Sequence, residues 1–126
     1  MRTILIVDDD EMTTEFVARI VKRKGFISVT AGSGKSGINF CKEIRPHAVF
    51  LDIMLPDIKG GEVYKAIKAL DDKIKVFFIS ASDYELEKLR SQGIHGEGHF
   101  SKPVSVVDDI VKILDSLSEP APHLPN

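Results

Sequence analysis

The hydrophobic positions of this chain alternate between short continuous runs and longer segments in which apolar residues recur every three or four positions. Five of the runs are rich in β-branched or aromatic residues, which is typical of strands buried on both faces of a sheet. The predicted strands are 3–7, 26–30, 48–53, 74–80 and, with a weaker pattern, 98–101. Each predicted strand is followed by a segment with helical spacing.

The first two predicted helices have clear boundaries in the sequence. The first begins after Asp10 and ends at Gly25, a residue type that commonly terminates helices. Its predicted apolar stripe consists of Met12, Phe16, Ile20 and Val21. The second covers 33–45, where Ser33 is a preferred capping residue and Pro46 prevents the helix from continuing.

Three more helices are predicted along the rest of the chain. The third covers 62–70. Two capping boxes, Ser82–Glu85 and Ser105–Asp108, predict where the fourth and fifth helices begin. The fifth continues through about Leu117, and its apolar stripe comprises Val106, Ile110, Ile113, Leu114 and Leu117.

Strict alternation of buried strands and amphipathic helices predicts an α/β fold, a doubly wound five-stranded parallel sheet with helices on both faces. One folded domain is expected over 1–118, followed by a Pro-rich tail or linker at 119–126. Ligands of such sheets bind outside the carboxyl ends of the strands, where the strand order reverses. We therefore expect functional side chains at that edge.

Polar side chains occur at the carboxyl end of four predicted strands. Asp8 and Asp9 follow the first, Asp52 ends the third, Ser80 ends the fourth, and Lys102 follows the fifth. Two carboxylates ~4 Å apart repel by roughly 4 kcal/mol at an effective dielectric near 20, so a cation is expected among them. Mg²⁺ is the natural candidate, because it prefers oxygen ligands and keeps coordination positions open for water or a phosphoryl oxygen.

Composition narrows the classes of protein to which the chain can belong. Hydrophobic residues make up 43% of the chain and the net charge is −2, so we expect no direct nucleic-acid binding. A single cysteine, Cys41, excludes an internal disulfide or a thiolate metal cluster, and it is expected to be a buried thiol on a stripe with Ile38 and Ile44. No apolar run has membrane-spanning length and no signal peptide is apparent, so a cytoplasmic location without membrane contact is expected.

Several separated motifs together carry a family resemblance. ILIVDDD (4–10), VFLDIMLPDIKG (49–60), FFISAS (77–82) and SKP (101–103) resemble the receiver domain of two-component response regulators, with similarity over residues 2–117. The resemblance implies a flavodoxin-like (βα)5 fold of chemotaxis-regulator type with strand order 2-1-3-4-5. It also implies a phosphorelay signalling module that catalyses only its own phosphorylation and dephosphorylation.

The resemblance also implies the roles of the acidic residues. Asp52 would be the phosphoacceptor, attacking the phosphohistidine of a histidine kinase or a histidine phosphotransfer protein to give an aspartyl phosphate. Asp9, Asp52 and the backbone carbonyl of Met54 would ligate Mg²⁺, and Asp8 would hold the ion mainly through water. Asp10, by contrast, is interpreted as a cap, and Asp57 as a turn former.

The remaining implied roles concern charge neutralisation and switching. Lys102 would pair with a phosphoryl oxygen, and Ser80 would donate its hydroxyl to another once the phosphoryl group is present. Movement of Ser80 and Lys102 would alter the face formed by the fourth helix, fifth strand and fifth helix, which would bind a downstream protein. His99 occupies the position where receivers usually carry a Tyr or Phe switch residue, so imidazole would have to serve there.

Three alternatives remain open at this point. Residues 32–36 resemble the end of a phosphate-binding loop, but the first glycine of that pattern is replaced by Val29, which makes ATP binding a minor alternative. An aspartate-dependent phosphatase would need a second acid two residues after its nucleophile, where Met54 stands. The third alternative is an interaction module of the same fold that needs no phosphorylation.

Overall fold

A computed structural model describes residues 2–102 and 107–118 of the chain. The described residues form one parallel sheet of five strands in the order β2-β1-β3-β4-β5. The strands are β1 (Thr3–Val7), β2 (Ile27–Ala31), β3 (Ala48–Asp52), β4 (Lys75–Ser80) and β5 (Gly98–Ser101). The predicted fold class and strand order are therefore confirmed.

A helix follows every strand. The helices are α1 (Glu11–Arg23), α2 (Gly34–Ile44), α3 (Gly60–Leu70), α4 (Asp83–Ser91) and α5 (Val107–Leu117). Ser33 and Ser82 cap α2 and α4 as predicted, since each hydroxyl accepts from a backbone N–H three residues later. The predicted capping residue Ser105 and the stripe residue Val106 lie outside the described residues. Within the described residues, none of the helices combines the length and apolarity required to cross a bilayer.

The sheet separates two hydrophobic layers because neighbouring side chains of a strand point to opposite faces. On β1, Leu5 belongs to the layer that packs beneath α2, α3 and α4, whereas Ile6 belongs to the layer beneath α1 and α5. In the second layer, the Phe50 ring contacts Phe77 and Phe100 edge-on, with centroids 5.8 and 5.5 Å away. This ring packing connects β3, β4 and β5, the strands whose carboxyl ends carry Asp52, Ser80 and Lys102.

Two predicted apolar stripes are wrong at their ends. Met12 is 81% exposed and Ile44 is 39% exposed, although both were expected to face the core. Met12 lies in the first turn of α1 and Ile44 is the last residue of α2, so both lie at helix ends, where the flanking layer covers less of the helix. The inward face of α1 instead begins at Thr13 and continues through Val17 and Val21.

Two further boundaries differ from the prediction. α3 begins at Gly60 rather than at residue 62, so its first turn includes both Gly60 and Gly61. α1 ends at Arg23, and Gly25 follows its cap with φ +89°, a conformation that glycine adopts readily.

Cys41 is fully buried, and burial raises the pKa of its thiol to about 11, as expected of a packed rather than reactive cysteine.

Candidate functional site

Three carboxylates meet at the carboxyl ends of β1 and β3. Val7 pairs with Leu51 in the parallel register, so the residues that follow, Asp8 and Asp52, lie side by side. One carboxylate oxygen from each of Asp8, Asp9 and Asp52 lies within 4.8 Å of the other two. Asp8 is 1% exposed and Asp52 is 3% exposed, whereas Asp9 faces solvent. The acidic cluster therefore has a buried base and an open side.

Lys102 completes the cluster from the end of β5. Its ammonium Nζ lies 2.8 Å from Asp8 Oδ2 and donates hydrogen bonds to Asp8 Oδ1 at 3.0 Å and Asp52 Oδ2 at 3.1 Å. The Lys102 backbone N–H donates to the Ser80 carbonyl at 2.8 Å, which ties the residue to the end of β4. Burial lowers the pKa of Lys102, but its contacts with Asp8 and Asp52 outweigh burial, so the pKa is raised overall and the amine stays charged.

Asp8 carries an incompletely compensated charge. Burial, helped by the neighbouring charge of Asp52, raises its pKa to about 6 in spite of hydrogen bonds from Lys102 and the Asp10 backbone. Asp8 Oδ2 lies 2.8 Å from the Lys102 ammonium as an ion pair, but it is the one buried side-chain oxygen or nitrogen among residues 2–102 and 107–118 that accepts no hydrogen bond of good geometry. A second cation placed beside Oδ2 would relieve this deficit.

Backbone contacts hold the carboxylates in place. The Asp10 N–H donates to Asp8 Oδ1 at 2.9 Å, and the Met54 N–H donates to Asp52 Oδ1 at 3.0 Å. Asp10 itself caps α1, accepting from the Met12 N–H at 3.1 Å and from the Thr13 hydroxyl at 2.7 Å. The interpretation of Asp10 as a cap is confirmed, and the site carboxylates are oriented by the ends of their own strands.

These residues fit a hard divalent cation. The donors are carboxylate oxygens, with no sulfur or imidazole in the group, and such a set suits Mg²⁺ better than softer metals. The incompletely compensated charge of Asp8 and the solvent-facing carboxylate of Asp9 are consistent with an ion that enters from the open side and retains water.

Ser80 and His99 do not join this cluster through direct hydrogen bonds in the structure. The Ser80 hydroxyl is buried; it donates to the Ser82 carbonyl at 2.6 Å and accepts from the Ser82 N–H at 3.0 Å. His99 is exposed on edge strand β5, with its Nδ1 3.4 Å from Arg90 Nη2 on α4. Ser80 is thus bound to the loop before α4, and His99 occupies an outward position.

Asp57 has a role that the sequence did not reveal. Its carboxylate accepts hydrogen bonds from the backbone N–H groups of Gly34 at 2.9 Å and Lys35 at 3.0 Å, at the start of α2. These bonds lower the pKa of Asp57, because they stabilise its ionised form. The interpretation as a turn former was incomplete, because the partner amides are more than 20 residues away and no local pattern connects them.

The same contacts weaken the alternative of a phosphate-binding loop at residues 32–36. Two of the amides that would have to face phosphate already donate to a carboxylate of the chain itself. β2, which precedes the loop, is an edge strand on the far side of β1 from the strand that carries Asp52. We therefore interpret the Gly-Ser-Gly-Lys-Ser run as the capped start of α2.

Comparison with known families agrees with this geometry. A family model described as the response regulator receiver domain matches residues 4–115. The chain belongs to this receiver family. The family is a signalling module, and the resemblance inferred from the sequence motifs is confirmed.

The relatives include proteins about twice as long as the matched region and proteins of similar length to it. The chain is 29% identical over 111 residues to the probable transcriptional regulatory protein TcrX of Mycobacterium tuberculosis, and the match covers 88% of this chain and 47% of TcrX. It is 27% identical over 109 residues to the polar-differentiation response regulator DivK of Brucella anthropi, covering 83% of this chain and 87% of DivK. The chain spans about half the length of TcrX and of several other regulators that it matches.

Solved structures share the fold of this receiver. The chemotaxis response regulator CheY4 of Vibrio cholerae superimposes with a TM-score of 0.82 at 19% identity, covering 94% of this chain and 99% of CheY4. At this identity the likeness establishes the fold alone. It agrees with the flavodoxin-like strand order observed here.

Proposed function

We propose that this receiver accepts a phosphoryl group on Asp52, with Mg²⁺ bound by Asp9, Asp52 and the Met54 carbonyl and held through water by Asp8. The donor is a phosphohistidine on a histidine kinase or a histidine phosphotransfer protein. The observation that carries the proposal is the meeting of three carboxylates within 4.8 Å beside the Lys102 ammonium, at the carboxyl ends of β1, β3 and β5. Acids at this spacing are favourable only when additional positive charge is supplied.

The transfer itself requires one nucleophile and several positive charges around the phosphoryl group. A carboxylate oxygen of Asp52 forms a bond to phosphorus while the bond to the donor nitrogen breaks, and that nitrogen keeps the electron pair. Mg²⁺, when bound, supplies charge neutralisation for the carboxylates and the phosphoryl oxygens. Lys102, already 3.1 Å from Asp52 Oδ2, needs only a small movement to pair with a phosphoryl oxygen.

The site offers a docking surface for the phosphohistidine donor. A cleft of about 660 Å³ lies beside the cluster and includes Met12, Phe16, Ala81 and Lys102 among its lining residues. Met12 exposes most of its apolar side chain at the start of α1, next to the solvent-facing Asp9. An apolar contact beside an acidic, metal-binding centre suits a protein partner whose histidine must reach Asp52.

The proposed output is a change in the face formed by α4, β5 and α5. Phosphorylation replaces the single negative charge of the Asp52 carboxylate with about two on the phosphoryl oxygens, and these oxygens would draw the hydroxyl of Ser80 away from its contacts with Ser82. Tyr84 on α4, His99 on β5 and Val107 on α5 are exposed on these elements and are available to a downstream protein. His99 takes the place of the usual aromatic switch residue in this proposal.

Intact-protein mass spectrometry after treatment with acetyl phosphate and Mg²⁺ tests the assignment. We expect one added phosphoryl group on the wild type and none on Asp52→Asn, because the amide is a poor nucleophile. EDTA should abolish the reaction. Asp72→Asn is a matched control, because it changes an exposed acid before β4, at the opposite edge of the sheet from Asp52, and leaves the acceptor intact. Equal labelling of Asp52→Asn and wild type would exclude Asp52 as the acceptor.

A further inference from the structure

The loop between β3 and α3, residues 53–59, carries the carbonyl of Met54 that the proposal assigns to Mg²⁺. Both ends of this loop are fixed by backbone contacts. At its start the Ile53 N–H donates to the Ile79 carbonyl at 3.1 Å, and at its end the Gly60 N–H donates to the Ile53 carbonyl at 2.9 Å. A Cβ on Gly60 would lie 2.7 Å from the Ile53 Cα, so the two ends approach as closely as glycine permits.

The middle of the loop is fixed differently, by a side chain that reaches another helix. The two carboxylate oxygens of Asp57 accept separately from the Gly34 and Lys35 N–H groups, so the loop is attached to the start of α2 by a bidentate contact. The contact is favourable because amides at a helix N-terminus carry partial positive charge and have no partner within the helix. α2 is in turn fixed independently by Ser33, whose hydroxyl accepts from the Ser36 N–H at 3.1 Å.

We propose that Asp57 is a positioning residue for the phosphoacceptor site, holding the 53–59 loop against α2 so that the Met54 carbonyl faces the acidic cluster before the cation arrives. This inference rests on the proposed function, because it assumes that the Met54 carbonyl is a ligand. Leu55 and Ile58 also anchor the loop through the hydrophobic layer. Loss of Asp57 therefore loosens the loop without unfolding it.

Loosening of the loop has a specific consequence for the affinity of the site for Mg²⁺. Without Asp57, binding of the cation must itself order the loop, so Mg²⁺ affinity falls while the fully loaded site keeps its geometry. Groups that orient metal ligands typically change metal affinity by about 10–100-fold, and the partial anchoring by Leu55 and Ile58 reduces the expected loss to about three- to tenfold. The rate of phosphorylation at saturating Mg²⁺ should remain close to that of wild type.

The test compares Asp57→Ala with Ser33→Ala in the full chain. Both variants remove hydrogen-bond acceptors from the start of α2, but only Asp57→Ala releases the 53–59 loop. The measurements are Mg²⁺ affinity by titration calorimetry on EDTA-treated protein, the initial rate of phosphorylation by acetyl phosphate as a function of Mg²⁺ concentration, and the melting temperature. Asp57→Asn, which keeps one acceptor oxygen, provides the conservative variant.

We expect Asp57→Ala to bind Mg²⁺ about three to ten times more weakly, Asp57→Asn to fall between it and wild type, and Ser33→Ala to lower the melting temperature with unchanged Mg²⁺ affinity. Wild-type Mg²⁺ affinity in Asp57→Ala, or an equal loss in Ser33→Ala, would overturn the positioning role. A wild type that binds Mg²⁺ and is phosphorylated while Asp57→Ala behaves identically would overturn this inference alone. Absence of Mg²⁺ binding by wild type would overturn the proposed function as well.

Discussion

Replacing Asp8 by Asn should stabilise this protein in the absence of divalent cations, although it removes an ion-pair partner of the half-buried Lys102. The pKa of Asp8 is raised from 3.8 to about 6, and this net shift already includes the favourable contacts with Lys102 and Asp10. A shift of about two units corresponds to about 3 kcal/mol by which the ionised form destabilises the fold at neutral pH. Because an amide is not a perfect replacement for a carboxyl group, we expect a gain of about 1–3 kcal/mol.

The gain should depend on pH with a defined sign. The folded pKa of Asp8 lies above its unfolded value, so the folded state binds more protons between roughly pH 4 and pH 6. The contribution of Asp8 is therefore neutral below that window, and stability is lost as the pH rises through about 6. The advantage of Asp8→Asn should be full at pH 7 and should disappear near pH 4.

Urea denaturation in EDTA, at pH 7 and at pH 4, measures the effect. Saturating Mg²⁺ should reverse the order at pH 7, because a ligand at about 1,000 times its Kd stabilises wild type by about 4.1 kcal/mol while the variant binds the ion poorly. Asp10→Asn is the matched control, since hydrogen bonding from Thr13 lowers the pKa of this exposed cap and no gain is expected. If Asp8→Asn is less stable than wild type in EDTA at pH 7, the charge on Asp8 stabilises the fold and the argument from burial is wrong.

Three further predictions follow from packing and exposure. Phe50→Ala should destabilise the protein by about 3–5 kcal/mol in urea denaturation, because Phe50 is fully buried between two other rings; a loss below about 1 kcal/mol would contradict that packing. Gly60→Ala should cost at least about 1–3 kcal/mol, since its Cβ would meet the Ile53 backbone at 2.7 Å, whereas Gly32→Ala, with open space around it, is the control. The aspartyl phosphate should outlive seconds in a dephosphorylation time course, because the exposed Met54 side chain cannot orient a water; Met54→Asn should shorten its lifetime.

The sheet and the acidic cluster could be predicted from the sequence because both follow from general rules of parallel topology. Buried runs of β-branched residues identified the strands, and parallel register then brought Asp8 and Asp52 together although they are far apart in the chain. Lys102 was found in the same way, as the residue after the fifth strand.

The features that the sequence did not predict have different physical origins. Periodicity assigns a face to Met12 and Ile44, but it does not say where the neighbouring layer stops covering a helix. Asp57 was missed because the partners of a side chain that bridges two elements leave no periodic signal in the sequence. The hydroxyl of Ser80 can adopt several rotamers with different hydrogen-bond partners, so the sequence does not predict that it bonds to Ser82.

The two oxygens of Asp52 have separate partners, the Met54 N–H on one and the Lys102 ammonium on the other. Converting the carboxylate into an ester removes negative charge from the oxygen that forms the new bond, so the contact made by that oxygen weakens. Esterification of one oxygen therefore alters the contact with the segment after β3, and esterification of the other alters the contact with the end of β5. A covalent change at Asp52 is therefore also a change in how the chain is held on one side of it.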